Sequence, residues 1–302
     1  MLKIALIGAT GSIGRQTLAV IDRHPDEFCL YSAVSRRGGD GFVSLAKKYR
    51  PRFCALADGE SGEKLRGEMP ADVPFYYGKE EALRALDGCD IAVIAASGFA
   101  GLSYSLAAAK RGLPIALANK ETLVCGGELF MRTAKENAVS LRPVDSEHSA
   151  LWQALGFSLD KPFKKLIITA SGGPFYGKSR DELKNVTAAD ALKHPTWNMG
   201  AKITIDSATL LNKGFEVIEA HHLYNAPYEK IQAIVHPESV IHSMAELEDG
   251  AVIAQMGVPS MELPIQLALT YPKRLSCCES PDFVKLASLR FLPLEEEKFP
   301  CF

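Results

Sequence analysis

Between His194 and Glu219 the chain reads HPTWNMGAKITIDSATLLNKGFEVIE, which crowds His, Trp, Ser, Asn, Lys and carboxylates into an apolar pattern with helical spacing. On a helix, Asn212 and Glu216 (i, i+4) and Lys213 and Glu216 (i, i+3) are surface neighbours. Charge inside an apolar element is costly unless it is paired, metal-bound or ligand-bound, so the cluster reads as a site for something polar. The plainer alternative is a solvated helix face with an ordinary Lys–Glu pair. A second acidic pair, Asp145 and Glu147, follows the strand-like segment Ser140–Val144. In extended backbone, residues i and i+2 point the same way, so both carboxylates would converge on one cation. With Glu216 they make three oxygen donors and no thiolate, a set that selects Mg²⁺ or Mn²⁺ over zinc. The competing reading makes Asp145 the N-cap of a helix starting at Ser146, with Glu147 in its first turn.

A different chemistry is written at the other end of the chain. Gly8-Ala9-Thr10-Gly11-Ser12-Ile13-Gly14 lies between an apolar run and a helical pattern, in the spacing G-x-x-G-x-x-G. Small residues there let backbone N–H groups approach a pyrophosphate, and the helix N-terminus favours the anion. The next strand ends in Val34-Ser35-Arg36-Arg37, where an NAD-preferring site usually carries an acidic residue. Two guanidiniums and a hydroxyl suit the 2′-phosphate of NADP instead. Asn119-Lys120-Glu121 follows another apolar run and would sit at the mouth of the same crevice, or else simply start a helix.

These groups need a scaffold, and the first 145 residues spell one. Leu2–Ile7, Phe28–Val34, Phe53–Ala57, Ile91–Ala95 and Pro114–Ala118 read as buried strands, with helices predicted at Ile13–Arg23, Gly41–Tyr49, Glu80–Leu86 and Gly101–Arg111. Repeated β-α-β units imply a doubly wound parallel sheet, an α/β Rossmann-like NADP domain over 1–145. The second half changes character. A strand at Phe163–Ala170 precedes a long polar, glycine-punctuated stretch over about 171–200, expected to be a lid. One long helix over about Thr204–Tyr224 then leads into strands at Ile231–His236, Val240–Leu247 and Ala251–Met256 and a helix at Met261–Leu269. Successive strands suggest an α+β catalytic domain over 146–275, with 276–302 as a linker.

The formal net charge of -2 offers no basic footprint for nucleic acid and no polybasic segment for a membrane surface. No apolar run reaches the length of a membrane span. The seven cysteines are odd in number and form no C-x-x-C, which fits free thiols in a reducing compartment. The first strand begins at Leu2 and leaves no room for a targeting peptide, so the expected location is cytoplasmic.

Taken together, the segments GATGSIG at 8–14, ANKETLV at 118–124, PVDSEHSAL at 143–151, TASGGPF at 169–175, the block at 194–220 and HPESVIHSMAELEDGAVIAQMG at 236–257 resemble the 1-deoxy-D-xylulose 5-phosphate reductoisomerases. The resemblance runs in order over nearly all 302 residues. It implies Asp145, Glu147 and Glu216 as ligands of Mg²⁺ or Mn²⁺, and Ser171, Ser207, Asn212 and Lys213 as the substrate-phosphate site, with His194 also on substrate. Lys120 and Ser146 would meet the substrate's carbonyl and hydroxyl end, and Trp197 would lie over it as part of the lid. NADPH would contact Gly8, Thr10, Gly11, Ser12, Ile13, Arg36, Arg37, Asn119 and Glu121, with Met199 and Gly200 on the nicotinamide side. His148 and His242 correspond to further active-site histidines, and Glu147 and Lys120 are the candidates for moving protons.

The implied reaction is a metal-assisted carbon-skeleton rearrangement of 1-deoxy-D-xylulose 5-phosphate followed by hydride reduction to 2-C-methyl-D-erythritol 4-phosphate, in non-mevalonate isoprenoid biosynthesis. It also implies a homodimer. Relatives continue beyond Phe299–Phe302 into a helical domain, so the chain as given is expected to turn over more slowly than an extended form, or not at all. Two rivals are an NADP-linked semialdehyde dehydrogenase, for which no cysteine has a nucleophile's setting, and a non-catalytic NADP-binding module. The first does not account for three candidate metal carboxylates, and the lid and phosphate motif argue against the second.

Overall fold

The computed structural model describes residues 1–197, 199–295, 297 and 299. By internal contacts the chain divides into two compact units. The first comprises Met1–Val144 and Met261–Cys277, the second Asp145–Ser260 and the described residues from Cys278 onward.

The first unit alternates β1 (Leu2–Ile7), α1 (Ser12–Arg23), β2 (Phe28–Ser35), α2 (Asp40–Tyr49), β3 (Phe53–Leu56), α3 (Gly59–Leu65), β4 (Phe75–Tyr77), α4 (Lys79–Leu83), β5 (Ile91–Ile94), α5 (Ala100–Lys110), β6 (Ile115–Leu117), α6 (Glu121–Glu136) and β7 (Leu141–Pro143). All seven strands pair in parallel, in the order β4-β3-β2-β1-β5-β6-β7. Strands apolar on both faces must be covered on both faces, and Ile4 to Ile7 and Ile91 to Ile94 are all buried. The doubly wound sheet expected from the sequence is therefore present. The chain walks outward from β1 through β4 and returns on the other side of β1 with β5. Strand order reverses there, and such a switch point is where ligands bind in open sheets.

The element β4 has three half-buried residues at the sheet edge, and α3 contains two glycines. Neither leaves a periodic apolar signal, which is why the sequence reading passed over both. The helix Glu262–Thr270 belongs to this unit rather than to a continuous second domain over 146–275. Every residue from Pro264 to Leu269 is buried, so it needs a large apolar surface around it. Ile265, Ala268 and Leu269 join the core of Ile4, Leu6, Val20 and Phe42.

The second unit contains α7 (Ser146–Ala154), β8 (Lys165–Ala170), α8 (Arg180–Leu183), α9 (Ala188–Ala191), α10 (Ala201–Ala208), α11 (Leu211–Leu223), β9 (Ile231–Val235), β10 (Ile241–Glu246) and β11 (Val252–Met256). Its sheet runs β11-β10-β8-β9, with β10 antiparallel to both neighbours and β8 parallel to β9, the mixed α+β character expected. The single helix expected over Thr204–Tyr224 is two. It breaks at Leu210, whose φ of 59° lies in the left-handed region that a leucine rarely adopts. Leu210 is held there by burial against Ala170 and Phe299. The glycine-rich stretch after Ala170 is not structureless: α8 and α9 are single turns, each closed by a capping box, Ser179 with Glu182 and Thr187 with Asp190. Past residue 276, part of the expected linker is docked. Leu292 and Val235 exchange two backbone hydrogen bonds of 2.9 Å, and His236 Nδ1 donates to the Arg290 carbonyl at 2.8 Å.

Two glycines should separate steric need from convenience. A Cβ on Gly14 would lie 2.3 Å from the Gly8 carbonyl oxygen, whereas one on Gly41 in α2 would meet nothing within 4 Å. Gly14→Ala is expected to cost about 1–3 kcal/mol through overpacking and lower the melting temperature by several degrees. Gly41→Ala should leave it unchanged or raise it, since alanine is the better helix residue by roughly 0.5–1 kcal/mol. Scanning calorimetry of the two variants checks this; equal melting points would refute the packing of the glycine turn.

Candidate active site

The carboxylates converge in the second unit, though not by strand alternation. The strand ends at Pro143, and Ser146 and Glu147 already lie in the first turn of α7. Asp145 occupies the N-cap position of that helix, yet its side chain makes no capping hydrogen bond. Oxygens of Asp145, Glu147 and Glu216 all lie within 4.8 Å of one another. Lys213 stands among them: its Nζ donates to Glu147 Oε1 at 2.9 Å and to Glu216 Oε2. Asn212 Nδ2 donates to Glu216 Oε1 at 2.5 Å, and Ser146 Oγ to Glu147 Oε2 at 2.5 Å. The one-turn spacings of Asn212, Lys213 and Glu216 predicted from the sequence are thus the contacts of α11.

Burial controls the electrostatics. Lys213 and Glu216 are 4% and 1% exposed. Desolvation, then the Glu216 carboxylate, push the Glu147 carboxyl up to about 8, against the pull of Lys213. Burial also works against the Lys213 ammonium, but Glu147 and Glu216 outweigh it and hold its pKa above the ordinary lysine value. Three carboxylates against one ammonium, all ionised, leave two negative charges, the complement of one divalent cation. The donor set therefore fits Mg²⁺ or Mn²⁺: hard oxygens, no thiolate, and a carboxylate that a dication would bring back to its ionised form.

Behind this trio lies a layer of which the sequence reading named only His148. His148 is fully buried, and its Nε2 donates to the Glu216 carbonyl at 2.9 Å. Glu219, 1% exposed, approaches His148 Nδ1 at 3.5 Å, and Tyr224 OH donates to the His148 carbonyl at 2.5 Å. Asp145, His148 and Glu219 form a second close trio. Glu219 sits one turn after Glu216 on α11, but nothing local in the sequence ties it to His148.

The other substrate-side residues gather around the turn after β8. Gly173, at φ 71°, packs so closely on α10 that a Cβ there would sit 2.4 Å from the Ser207 carbonyl oxygen. His194 Nδ1 accepts from the backbone N–H groups of Thr196 (3.2 Å) and Trp197 (3.0 Å). Its proton is therefore on Nε2, which donates to Ser171 Oγ at 3.1 Å. Burial pulls the His194 pKa below its ordinary value, which favours this neutral form. Trp197 lies 5.7 Å, centroid to centroid, from the His242 ring. Burial, the largest influence, brings His242 down to about 4. The Ser207 hydroxyl is turned to the Thr204 carbonyl at 2.8 Å. Asn212 and Lys213, expected beside Ser171 and Ser207 at a phosphate, spend these hydrogen bonds on the carboxylates. Met199 and Gly200 precede α10, and the Gly200 carbonyl accepts from Thr204.

In the first unit the glycine turn closes as the spacing predicted. Gly8 has φ 95°, and Gly11 N–H donates to its carbonyl at 3.0 Å. Thr10 is tied to Ser35, N to Oγ at 3.3 Å and Oγ1 to Oγ at 3.1 Å, so the Ser35 hydroxyl braces the turn. Ser12 and Ile13 open α1. Arg36 and Arg37 are exposed, with Arg37 Nε 3.9 Å from Asp58. Lys120 is buried at the start of α6, and Glu121 accepts from Asn119 Nδ2 at 2.8 Å.

The family model for 1-deoxy-D-xylulose 5-phosphate reductoisomerase matches residues 4–127, and two models of the family's C-terminal domains match 141–224 and 256–302. The reductoisomerase of Geobacillus sp. (strain WCH70) is 47% identical over 305 residues, covering 100% of this chain and 80% of the relative. That of Chlorobium chlorochromatii (strain CaD3) is 48% identical over 308 residues, with the same coverage. A crystal structure of DOX-P reductoisomerase in complex with NADPH, fosmidomycin and magnesium superposes with a TM-score of 0.95 at 38% identity, over 100% of this chain and 78% of that one.

Lys213→Met removes the one ammonium from the buried trio. Breaking a buried pair from one side costs about 3–5 kcal/mol, so urea unfolding without divalent cation should shift to lower concentration. Added Mn²⁺ should recover part of the loss. An unshifted midpoint would mean that the carboxylates are not charged in the folded chain.

Proposed function

The chain belongs to the 1-deoxy-D-xylulose 5-phosphate reductoisomerase family, and from that premise and the geometry above we propose that it rearranges and reduces 1-deoxy-D-xylulose 5-phosphate to 2-C-methyl-D-erythritol 4-phosphate. The observation that carries the reading is the buried trio Asp145, Glu147 and Glu216 around Lys213. The three carboxylates would hold Mg²⁺ or Mn²⁺, which supplies Lewis acidity to the substrate's carbonyl and neighbouring hydroxyl oxygens. The first unit would hold NADPH, the hydride source, at Gly8–Gly14, with Arg36 and Arg37 offered to the 2′-phosphate and Glu121 to the ribose side.

The chain's own groups do the rest. Ser171, Ser207, Asn212 and Lys213 supply hydroxyl, amide and ammonium donors suited to a phosphate dianion. Lys213 and Asn212 can exchange a carboxylate for that dianion once the acidic charge is met elsewhere. His194, as the neutral tautomer, holds the Ser171 hydroxyl in place. Ser146 and Lys120 orient the carbonyl end, with Met199 and Gly200 assigned to the nicotinamide side. Glu147 and Lys120 are the candidates for taking up and returning a proton. Residues 171–200 act as the lid, with Trp197 against His242 excluding water, which strengthens every electrostatic contact beneath it.

We place the enzyme in the cytoplasm, a reading supported by six free thiols among the described residues; no helix among those residues is long and apolar enough to cross a membrane. The homodimer would form at β11. This strand is an edge of its sheet, and Val252 and Ile253 are exposed on it, a template for pairing with a second copy.

Two measurements test this reading. NADPH consumption with 1-deoxy-D-xylulose 5-phosphate should require Mg²⁺ or Mn²⁺. In Glu216→Gln it should fall by more than about 100-fold, beyond the 10–100-fold typical of groups one layer further from a metal. Metal-independent oxidation would overturn the assignment. Light scattering should give a dimer mass for the wild type and a monomer mass for Ile253→Lys; a variant that remains dimeric moves the interface elsewhere.

A further inference from the structure

The cofactor crevice rests on a hydrogen-bond chain that lies mostly outside the glycine motif. A Cβ on Gly8 would fall 2.4 Å from the Ala95 carbonyl oxygen and 2.7 Å from Ala96 N, so the glycine turn and the loop leaving β5 touch without slack. That loop is gripped by Asn119. Its Nδ2 faces the carbonyls of Ala96 (2.7 Å) and Gly98 (3.1 Å) and Glu121 Oε2 (2.8 Å). Its Oδ1 accepts from Thr122 N at 2.9 Å and from Thr122 Oγ1 at 2.6 Å.

A backbone N–H can only donate, so Thr122 N fixes which end of the amide is oxygen and hence which end faces the loop. The Thr122 hydroxyl gives its hydrogen to Asn119 and can only accept from Ser105 Oγ, 2.9 Å away. Ser105 therefore donates, Thr122 relays, and the Asn119 amide is held in one orientation. Asn119 is 2% exposed, and Ser105 and Thr122 are fully buried. A Cβ on Gly101 would fall 2.2 Å from Asn119 Oδ1, so α5 closes over the amide. Two hydrogens on Nδ2 already serve three acceptors. The Asn119 side chain thus has no donor left for a ligand.

We propose that Ser105 and Thr122 are positioning residues for NADPH binding, acting through the Asn119 amide to fix the β5 exit loop against Gly8 and to aim the Glu121 carboxylate. The inference rests on the reading of the first unit as the NADPH site. It turns Asn119 from a side-chain contact into the clamp of the crevice's far wall.

The test titrates NADPH into the full chain by nicotinamide fluorescence, without sugar phosphate, and compares Thr122→Val, Thr122→Ser and Ser105→Ala. Thr122→Val should raise the NADPH dissociation constant about tenfold, or 1.4 kcal/mol, and raise KM for NADPH in parallel. Its kcat and KM for the sugar phosphate should stay within about twofold, since only cofactor binding is lost. Thr122→Ser keeps the hydroxyl and should bind like the wild type. Ser105→Ala should weaken binding about threefold, in line with one neutral hydrogen bond; if Thr122→Val fails to fold, this variant and Thr122→Ser decide. Wild-type NADPH affinity in Thr122→Val or Ser105→Ala, or a Thr122→Ser variant as weak as the valine, would overturn the relay. No NADPH binding by the wild type would overturn the underlying reading and the relay with it.

Discussion

Everything in the second unit answers to one electrostatic constraint: Glu216 and Lys213 are closed off from water beside two more carboxylates. An ion in a low-dielectric interior must find its counter-charge within a few ångströms or give up its charge. Lys213 meets one negative charge and touches two acids, and Glu147 takes the shortfall as a carboxyl pushed up to about 8. A purely structural protein would have little reason to keep such a deficit, because replacing the cluster with apolar residues of like volume is often neutral or stabilising. With all three carboxylates ionised the cluster would carry two surplus negative charges, the complement of one divalent cation.

The constraint shapes the backbone around it. If α10 and α11 were one helix, Ser207 and Asn212 would be fixed by a single helical phase. The left-handed Leu210 resets that phase. Asn212, Lys213 and Glu216 can then face the carboxylates, while the end of α10 packs on Gly173. A residue strained in this way costs of order 1–3 kcal/mol, which its burial with Ala170 and Phe299 must offset. In the first unit the equivalent demand is close backbone approach, met by Gly8 and Gly14 on one side and by the Asn119 clamp on the other.

What the sequence made legible follows from which interactions are local. Buried parallel strands announce themselves as apolar runs, whereas the order that sets the switch point is seen only in the folded sheet. The pairs Asn212–Glu216 and Lys213–Glu216 are one-turn neighbours, so helical arithmetic finds them. The convergence of Asp145 and Glu147 was found for the wrong geometric reason. Strand alternation suggested it, but the N-terminus of α7, with Asp145 at the N-cap position and Glu147 in the first turn, delivers it. The break at Leu210 was invisible because packing, not local propensity, holds it. Glu219 and Tyr224 approach His148 from 71 and 76 residues away in the chain, and a single sequence carries no mark of such a contact.

Histidine protonation shows how far the geometry reaches beyond the residue types. The family resemblance places both His148 and His194 in the active site, and their partners assign them different work. His194 Nδ1 accepts two backbone N–H bonds, and protonating it would set donor against donor at both. It is therefore locked neutral and serves as a fixed donor to Ser171. His148 donates from Nε2 to a carbonyl and turns its other nitrogen toward the Glu219 carboxylate. One histidine orients a hydroxyl at the turn after β8. The other ties α7 to the Glu216 backbone of α11, and so joins the two elements that carry the three carboxylates.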